Sequence, residues 1–187
     1  MRILAACSLG GAGHWLPLVT VLEAARRRSD EILVIAPPAM QAMIERDGFS
    51  FTAGGEPPES AIAPIRERLP TATAEEASIL GNRELFGRLA ATAMLPSMAA
   101  TCRTWAPDLV VRDPVEYASA ILAADLAIPI AQVAISLAST EWGSIAVAAP
   151  VLEAHRRGLV DRVRATPYLT RIPAPFDPAP NTVPEPP

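Results

Sequence analysis

Residues 3–13 read ILAACSLGGAG, an apolar run followed by a glycine-rich turn. The run carries no charge, which is typical of a strand buried on both faces of a parallel sheet. From Trp15 onward the apolar residues recur at helical spacing, and Arg26 to Arg28 close the last turn, where cations suit the helix dipole. The segment therefore predicts a buried strand, a tight turn and a helix, which together open a βαβ unit.

The same alternation of strand and helix continues along the chain. Further strands are predicted at residues 32–35, 49–51, 109–111 and 129–133, with helical segments between them. This order favours a parallel, doubly wound sheet of the α/β class, covered by helices on both faces.

Three stretches fit the alternation less well. Residues 54–81 combine prolines, glycines and scattered charges, so we expect a long loop that is functional or mobile. A helix is expected from Arg83 to Trp105, kinked or split by Pro96. Residues 136–144 are expected to be a polar break before a partly helical stretch that is interrupted near Pro150 and Gly158.

Composition restricts the chemistry. The chain has 187 residues, half of them hydrophobic, which is enough for one domain with a core. The net charge of -4 argues against a nucleic-acid partner. All sixteen basic residues are arginine, which excludes the lysine of a Walker A loop, a Schiff-base enzyme or a pyridoxal-phosphate enzyme. Two cysteines and two histidines without ligand spacing predict no metal site, and reduced thiols in a cytoplasmic protein.

Two apolar stretches resemble targeting segments. Only three residues precede the lipoprotein-like box at 4–7, so we expect no signal peptide there. Residues 118–139 are nearly uncharged, but Asp125 and Pro129 interrupt them. A buried helix followed by a buried strand explains this stretch better than a membrane span.

The glycine turn comprises Gly10, Gly11, Ala12 and Gly13. A turn of this kind at a helix N-terminus can hold an anion, because backbone amides and the helix dipole point to one place. However, the dinucleotide-binding pattern needs a third glycine and an acid at the end of the second strand, and that strand ends in Ala-Pro-Pro. These departures argue against an oxidoreductase.

His14 and Asp113 are the candidate acid–base residues. His14 follows the turn, at the carboxyl end of the first strand, and Asp113 follows the strand at 109–111. In a parallel sheet both lie on the edge where ligands bind, and the carboxylate can orient the imidazole and stabilise its charged form. On position alone, a helix-capping histidine and a turn-forming Asp-Pro are equally open interpretations.

Several segments together resemble the start of family 1 GT-B glycosyltransferases, the group that glycosylates macrolides, enediynes and related natural products. They are MRIL at 1–4, GAGHWLPL at 11–18, EILVIAPP at 31–38, DGFSF at 47–51 and APDLVVRDP at 106–114. Ser29-Asp30 departs from the family's Gly-His. The likeness covers most of the chain, and the His-x-Gly donor signature of the family's second half does not occur in it.

The resemblance implies a Rossmann-like three-layer domain over residues 1–166, the N-terminal half of a GT-B fold, with a proline-rich tail or interdomain linker at 167–187. It implies that His14 is the general base of an inverting transfer and that Asp113 orients it. A TDP- or UDP-sugar is the expected co-substrate, bound mainly by a C-terminal donor domain, with no cofactor. We expect the isolated chain to be inactive, and we favour a deliberate cut at a domain boundary over a natural truncation.

The resemblance also implies a pocket for a hydrophobic acceptor, lined by the variable loops and the kinked middle helix. The expected contacts are Trp15, Phe86, Leu89, Met94, Met98 and Trp142. Apolar residues at helical spacing are equally what a core requires. Three alternatives stay open: a subunit of a split transferase, a non-catalytic small-molecule-binding or activator module, and a dinucleotide-binding oxidoreductase. Oligomer formation is also left open.

Overall fold

Six parallel strands form one sheet in the structure, a computed structural model that describes residues 1–173 and 175–177. The strands are β1 (Arg2–Ala6), β2 (Glu31–Ala36), β3 (Ser50–Ala53), β4 (Leu109–Arg112), β5 (Ile130–Val133) and β6 (Tyr168–Leu169). Their order across the sheet is β3-β2-β1-β4-β5-β6. All neighbouring pairs are parallel, so the predicted α/β fold is confirmed.

Helices connect the strands and cover the sheet. They are α1 (Ala12–Arg27), α2 (Gln41–Arg46), α3 (Glu59–Arg68), α4 (Ala74–Ser78), α5 (Ala91–Trp105), α6 (Tyr117–Leu126), α7 (Ala138–His155) and α8 (Leu159–Arg164). A π-helix (Ile79–Ala90) joins α4 to α5, and short 3-10 helices occupy Pro38–Met40 and Leu69–Thr71.

Alternate residues of the central strand face opposite layers. From β1 onward, Ile3, Ala5 and Cys7 pack with Leu18 and Leu22 of α1. The residues between them pack on the other side, where Leu4 and Ala6 meet buried methionines of α5. This period of two gives each face its own apolar core. The predicted three-layer arrangement is thereby confirmed.

The strand order places a crevice at the middle of the sheet. From β1 the chain runs outward through β2 to β3, and then returns to β4 on the other side of β1. The connections after β1 and after β4 therefore leave in opposite directions, and ligands bind at such a reversal, beyond the carboxyl ends of the strands. His14 and Asp113 follow these two strands.

The loop expected at residues 54–81 is a wrong prediction, because most of this stretch is helical. It contains α3, a 3-10 turn, α4 and the start of the π-helix. Thr73 begins α4 with a capping box that includes Glu76. Only Ile65 of α3 is buried, so the amphipathic signal is too weak for periodicity to detect.

Two prolines expected to interrupt helices do not end them. Pro96 lies within α5, and the helix type changes from π to α at Ala91 instead. Pro150 lies within α7, which begins at Ala138, inside the stretch expected to be a polar break. A break before α8 is present, because α7 ends at His155 and Gly158 adopts a φ of 78° at the start of α8.

The sheet extends beyond the domain boundary expected at residue 166. Tyr168 and Leu169 pair with β5, and the Ala134 N–H donates to the Leu169 carbonyl at 2.8 Å. Asp177 accepts from the Ala138 N–H at 3.0 Å, which joins this segment to α7. Residues 174 and 178–187 of the expected tail lie outside the described residues.

Within residues 1–173 and 175–177, no helix is long and apolar enough to cross a bilayer. In the same ranges, no three His, Cys, Asp or Glu side chains are grouped in a way that could hold a metal ion.

Candidate functional site

The glycine turn places His14 at the carboxyl end of β1. The Gly11 carbonyl accepts from the N–H groups of His14 at 3.2 Å and Trp15 at 3.1 Å, and α1 begins there. Gly10 has a φ of 142°, and a Cβ at this position would collide with the imidazole of His14. Only glycine lets the backbone lie this close to the ring.

His14 and Asp113 meet across the β1–β4 crevice. Nδ1 of His14 lies 3.4 Å from Oδ1 of Asp113, with the His14 side chain 15% exposed and Asp113 fully buried. This separation is longer than a typical hydrogen bond, and Nδ1 has no hydrogen-bond partner of good geometry. The structure thus brings together the two residues that the sequence singled out. Among the described residues, none forms a hydrogen bond with Nε2, the other ring nitrogen.

The Asp113 carboxylate is held rigidly by backbone amides. Its Oδ2 accepts from the Ser8 N–H at 2.6 Å, and its Oδ1 accepts from those of Val115 at 2.9 Å and Glu116 at 3.1 Å. Its own N–H donates to the Ala6 carbonyl at 3.1 Å. Asp113 therefore joins β1, β4 and the turn that precedes α6.

The environment favours the charged forms of both partners. Burial lowers the pKa of His14, but the carboxylates of Asp113 and Glu141 outweigh it, and the net pKa is raised. Burial raises the pKa of Asp113, but His14 and the backbone amides outweigh it, and the net pKa is lowered. An imidazolium formed at His14 is thus stabilised in place.

Phe86 is the predicted acceptor contact that lies against His14. It belongs to the π-helix, and its ring stacks on His14 with centroids 5.6 Å apart and an interplanar angle of 29°. An apolar ring here limits the water around the imidazole, whose side chain is 15% exposed.

Three other predicted acceptor contacts belong to the core, and this corrects the expectation for them. Trp15 is fully buried, packs edge-on against Phe49 and donates from Nε1 to Asp47 at 2.6 Å. Met94 and Met98 are buried between α5 and the sheet. Helical spacing identified their apolar character, but the faces that they occupy pack into the two cores on either side of the sheet.

Leu89 and Trp142 are partly buried near two other features. Leu89 lines a cavity of about 610 Å³ between α3 and the π-helix, which contains neither His14 nor Asp113. Trp142 of α7 packs against Tyr168, with ring centroids 5.5 Å apart. Their role in acceptor binding stays a prediction.

A smaller cavity of about 340 Å³ adjoins the glycine turn. Its walls are Leu9, Gly10, Gly11, Ala12, Pro37, Ala39, Met40, Met43 and Glu56. It is smaller than the cavity beside α3, but it shares Gly10 with the imidazole contact. We therefore associate it with the site.

Sequence reasoning did not identify the buried polar residues around this pair. Arg112, Glu116, Gln132 and Glu141 are nearly or fully inaccessible to solvent. Glu141 accepts from the N–H groups of Ile135 and Ser136, each at 2.8 Å. Charged residues at the end of a buried strand or in the first turn of a helix were the available signal.

Comparisons with known proteins identify the family and the fold of this chain. Residues 24–171 match the family model described as erythromycin biosynthesis protein CIII-like, N-terminal domain. SsfS6, a glycosyltransferase of Streptomyces sp. SF2575, is 25% identical with a TM-score of 0.64, over 83% of this chain and 46% of that one. No curated protein matches the chain.

Two further solved structures share the fold. SnogD, a glycosyltransferase from Streptomyces nogalater, is 23% identical with a TM-score of 0.60, over 83% of this chain and 41% of that one. CalG4, the calicheamicin glycosyltransferase, is 19% identical with a TM-score of 0.70, over 99% of this chain and 51% of that one. The chain thus spans about half the length of these proteins, or less.

Proposed function

The chain belongs to the family of erythromycin biosynthesis protein CIII-like N-terminal domains, and from this premise we propose that it is the acceptor-binding half of an inverting glycosyltransferase. The whole enzyme moves a hexose or deoxyhexose from a TDP- or UDP-sugar to a hydroxyl of a natural product. The observation that carries the proposal is the His14–Asp113 pair, at the sheet edge where ligands bind.

The pair supports base catalysis at one nitrogen. Asp113 faces Nδ1, so the neutral ring presents Nε2 to an incoming hydroxyl. Nε2 takes the hydroxyl proton as the oxygen attacks the anomeric carbon and the bond to the nucleotide diphosphate breaks on the opposite face. The configuration inverts, and Asp113 stabilises the imidazolium through charge.

The walls around the glycine turn favour an apolar acceptor. The nearby cavity is lined mainly by apolar side chains and glycine backbone, and Glu56 is its one charged wall residue. Phe86 adds an apolar surface on the ring of His14. An anionic acceptor would meet the Glu56 carboxylate without a compensating cation, so a neutral, hydrophobic hydroxyl compound fits this site better.

Calorimetry of the chain alone tests whether it binds the acceptor without binding the sugar donor. We expect binding of hydrophobic natural-product acceptors and little binding of nucleotide sugars, since the donor contacts are assigned to a second domain. Tight binding of a nucleotide sugar or of NAD(P) would reassign the glycine turn and contradict the proposal.

The base is tested after the chain is joined to a donor domain from a solved relative. His14→Ala is expected to lower the transfer rate by about 10²–10⁴-fold, the usual contribution of general base catalysis. His155→Ala is the matched control, because His155 is the second histidine and lies exposed at the end of α7. Equal rates for the two variants would remove His14 from the mechanism.

A further inference from the structure

Arg112 is a fully buried cation next in sequence to Asp113 of the His14–Asp113 pair. It ends β4, and its guanidinium donates three hydrogen bonds, all at 2.7 Å. The acceptors are the Glu116 carbonyl, the Pro114 carbonyl and Oε1 of Gln132. No carboxylate within the described ranges forms an ion pair with it. Burying a cation is costly, and the three hydrogen bonds, together with the charges of the Glu116 and Glu141 carboxylates, offset that cost.

The bonds of Arg112 converge on the turn that presents Asp113. Arg112 binds two carbonyls of the turn, those of Pro114 and Glu116. Asp113 binds two of its amides, those of Val115 and Glu116. The turn is therefore held from two sides, and the two residues that hold it are adjacent in sequence.

We propose that Arg112 is a positioning residue that, by holding the 113–116 turn, keeps the Asp113 carboxylate opposite Nδ1 of His14. Gln132, on the neighbouring strand β5, orients the guanidinium by accepting from Nη1. The importance of this role for catalysis rests on the proposed function, whereas the effect of Arg112 on the position of Asp113 does not.

The planar, three-nitrogen guanidinium explains why an arginine is needed to hold this turn. Nε, Nη1 and Nη2 point in different directions within one plane, and each has its own acceptor. A lysine ammonium retains the charge but is a single point, and it cannot reach three acceptors in this arrangement. If the turn loosens, the Asp113 carboxylate loses amide donors and moves away from the imidazole.

Titration of His14 by NMR separates positioning from simple support of the core. The carboxylates that act on His14 are those of Asp113 and Glu141, and both raise its pKa. Arg112→Lys and Gln132→Met are compared with Asp113→Asn, which removes the carboxylate charge. Arg103→Lys, at an exposed position of α5, is the matched control. Circular dichroism first establishes that each variant is folded.

The expected order of the His14 pKa is wild type and Arg103→Lys highest, then Gln132→Met, then Arg112→Lys, with Asp113→Asn lowest. A folded Arg112→Lys variant that titrates like the wild type would overturn the proposal. If Arg112→Lys does not fold, the test falls to Gln132→Met, and a His14 pKa equal to that of the wild type in this variant would overturn the proposal. The measurement needs no donor domain, so failed transfer by a joined enzyme would count against the proposed function alone.

Discussion

At the scale of single residues, the contact of His14 with Asp113 makes stability depend on pH. The raised pKa of His14 contributes stability that is fully present below its ordinary value of about 6.5 and is lost as pH rises through the folded value. The lowered pKa of Asp113 contributes stability that is present above about 3.9 and is lost as pH falls through the folded value. The pair is therefore strongest between these limits.

We predict that His14→Gln lowers the free energy of unfolding by on the order of 1 kcal/mol between about pH 4 and 6.5, and by less at alkaline pH. Urea denaturation across this range measures the difference. His155→Gln is the control. A constant difference at all pH values would mean that the ion pair does not contribute.

Gly10 is the residue on which the imidazole position depends most directly. Gly10→Ala combines a backbone φ of 142° with a collision against the ring, so we expect a loss of about 1–3 kcal/mol and displacement of His14. Gly13→Ala is the matched control, because its added Cβ meets nothing within 4 Å and it lies in α1. Thermal unfolding and the NMR signals of His14 measure the two effects. Equal behaviour of the two variants would contradict this account of the turn.

At the scale of elements, the π-helix places Phe86 against His14 and packs closely against α7. A Cβ at Gly87 would lie 2.8 Å from Cγ2 of Val151 and 3.3 Å from Cβ of Ala148, both on α7. Glycine is therefore required for close approach here, and the helix-to-helix distance sets where Phe86 lies over His14.

We predict that Gly87→Ala destabilises the chain by about 1–3 kcal/mol through overpacking. Gly81→Ala, in the same π-helix with open space around its Cβ, is expected to be neutral or to stabilise by up to about 1 kcal/mol. The urea midpoints of the two variants test this contrast. A stabilising Gly87→Ala would show that the two helices are free to separate.

At the scale of the whole molecule, the described residues just after 166 join the sheet through β6. The Gln132 N–H donates to the Pro167 carbonyl at 2.9 Å, and Tyr168 is buried against Trp142. We predict that a chain ending at Thr166 is less stable than one ending at Asp177 by roughly 3 kcal/mol, the usual loss for removing a buried aromatic side chain. Denaturant unfolding of both chains measures it. Equal stability would support a domain boundary at 166.

Local signals were sufficient to predict the strand and helix order of the fold and to propose His14 and Asp113 as site residues. Uncharged runs marked β1 and β2, and helical spacing marked α1, because each depends on neighbours within a few residues. His14 and Asp113 could be proposed because both follow buried strands, and parallel strands end at one edge. Residues 54–81 were misassigned because a helix with a single buried residue leaves almost no periodic signal.

By itself the sequence determined the parallel α/β alternation, the glycine turn and the pairing of His14 with Asp113 as a hypothesis. Only the tertiary structure decided that Trp15, Met94 and Met98 belong to the core, and that the ring of Phe86 stacks on that of His14. It also revealed that Arg112 donates hydrogen bonds to the turn after β4. The N–H of Ser8 donates to the Asp113 carboxylate, although the two residues are 105 positions apart in the sequence. The physical reason is that hydrophobicity specifies that a side chain leaves water, whereas its neighbours depend on how distant segments pack.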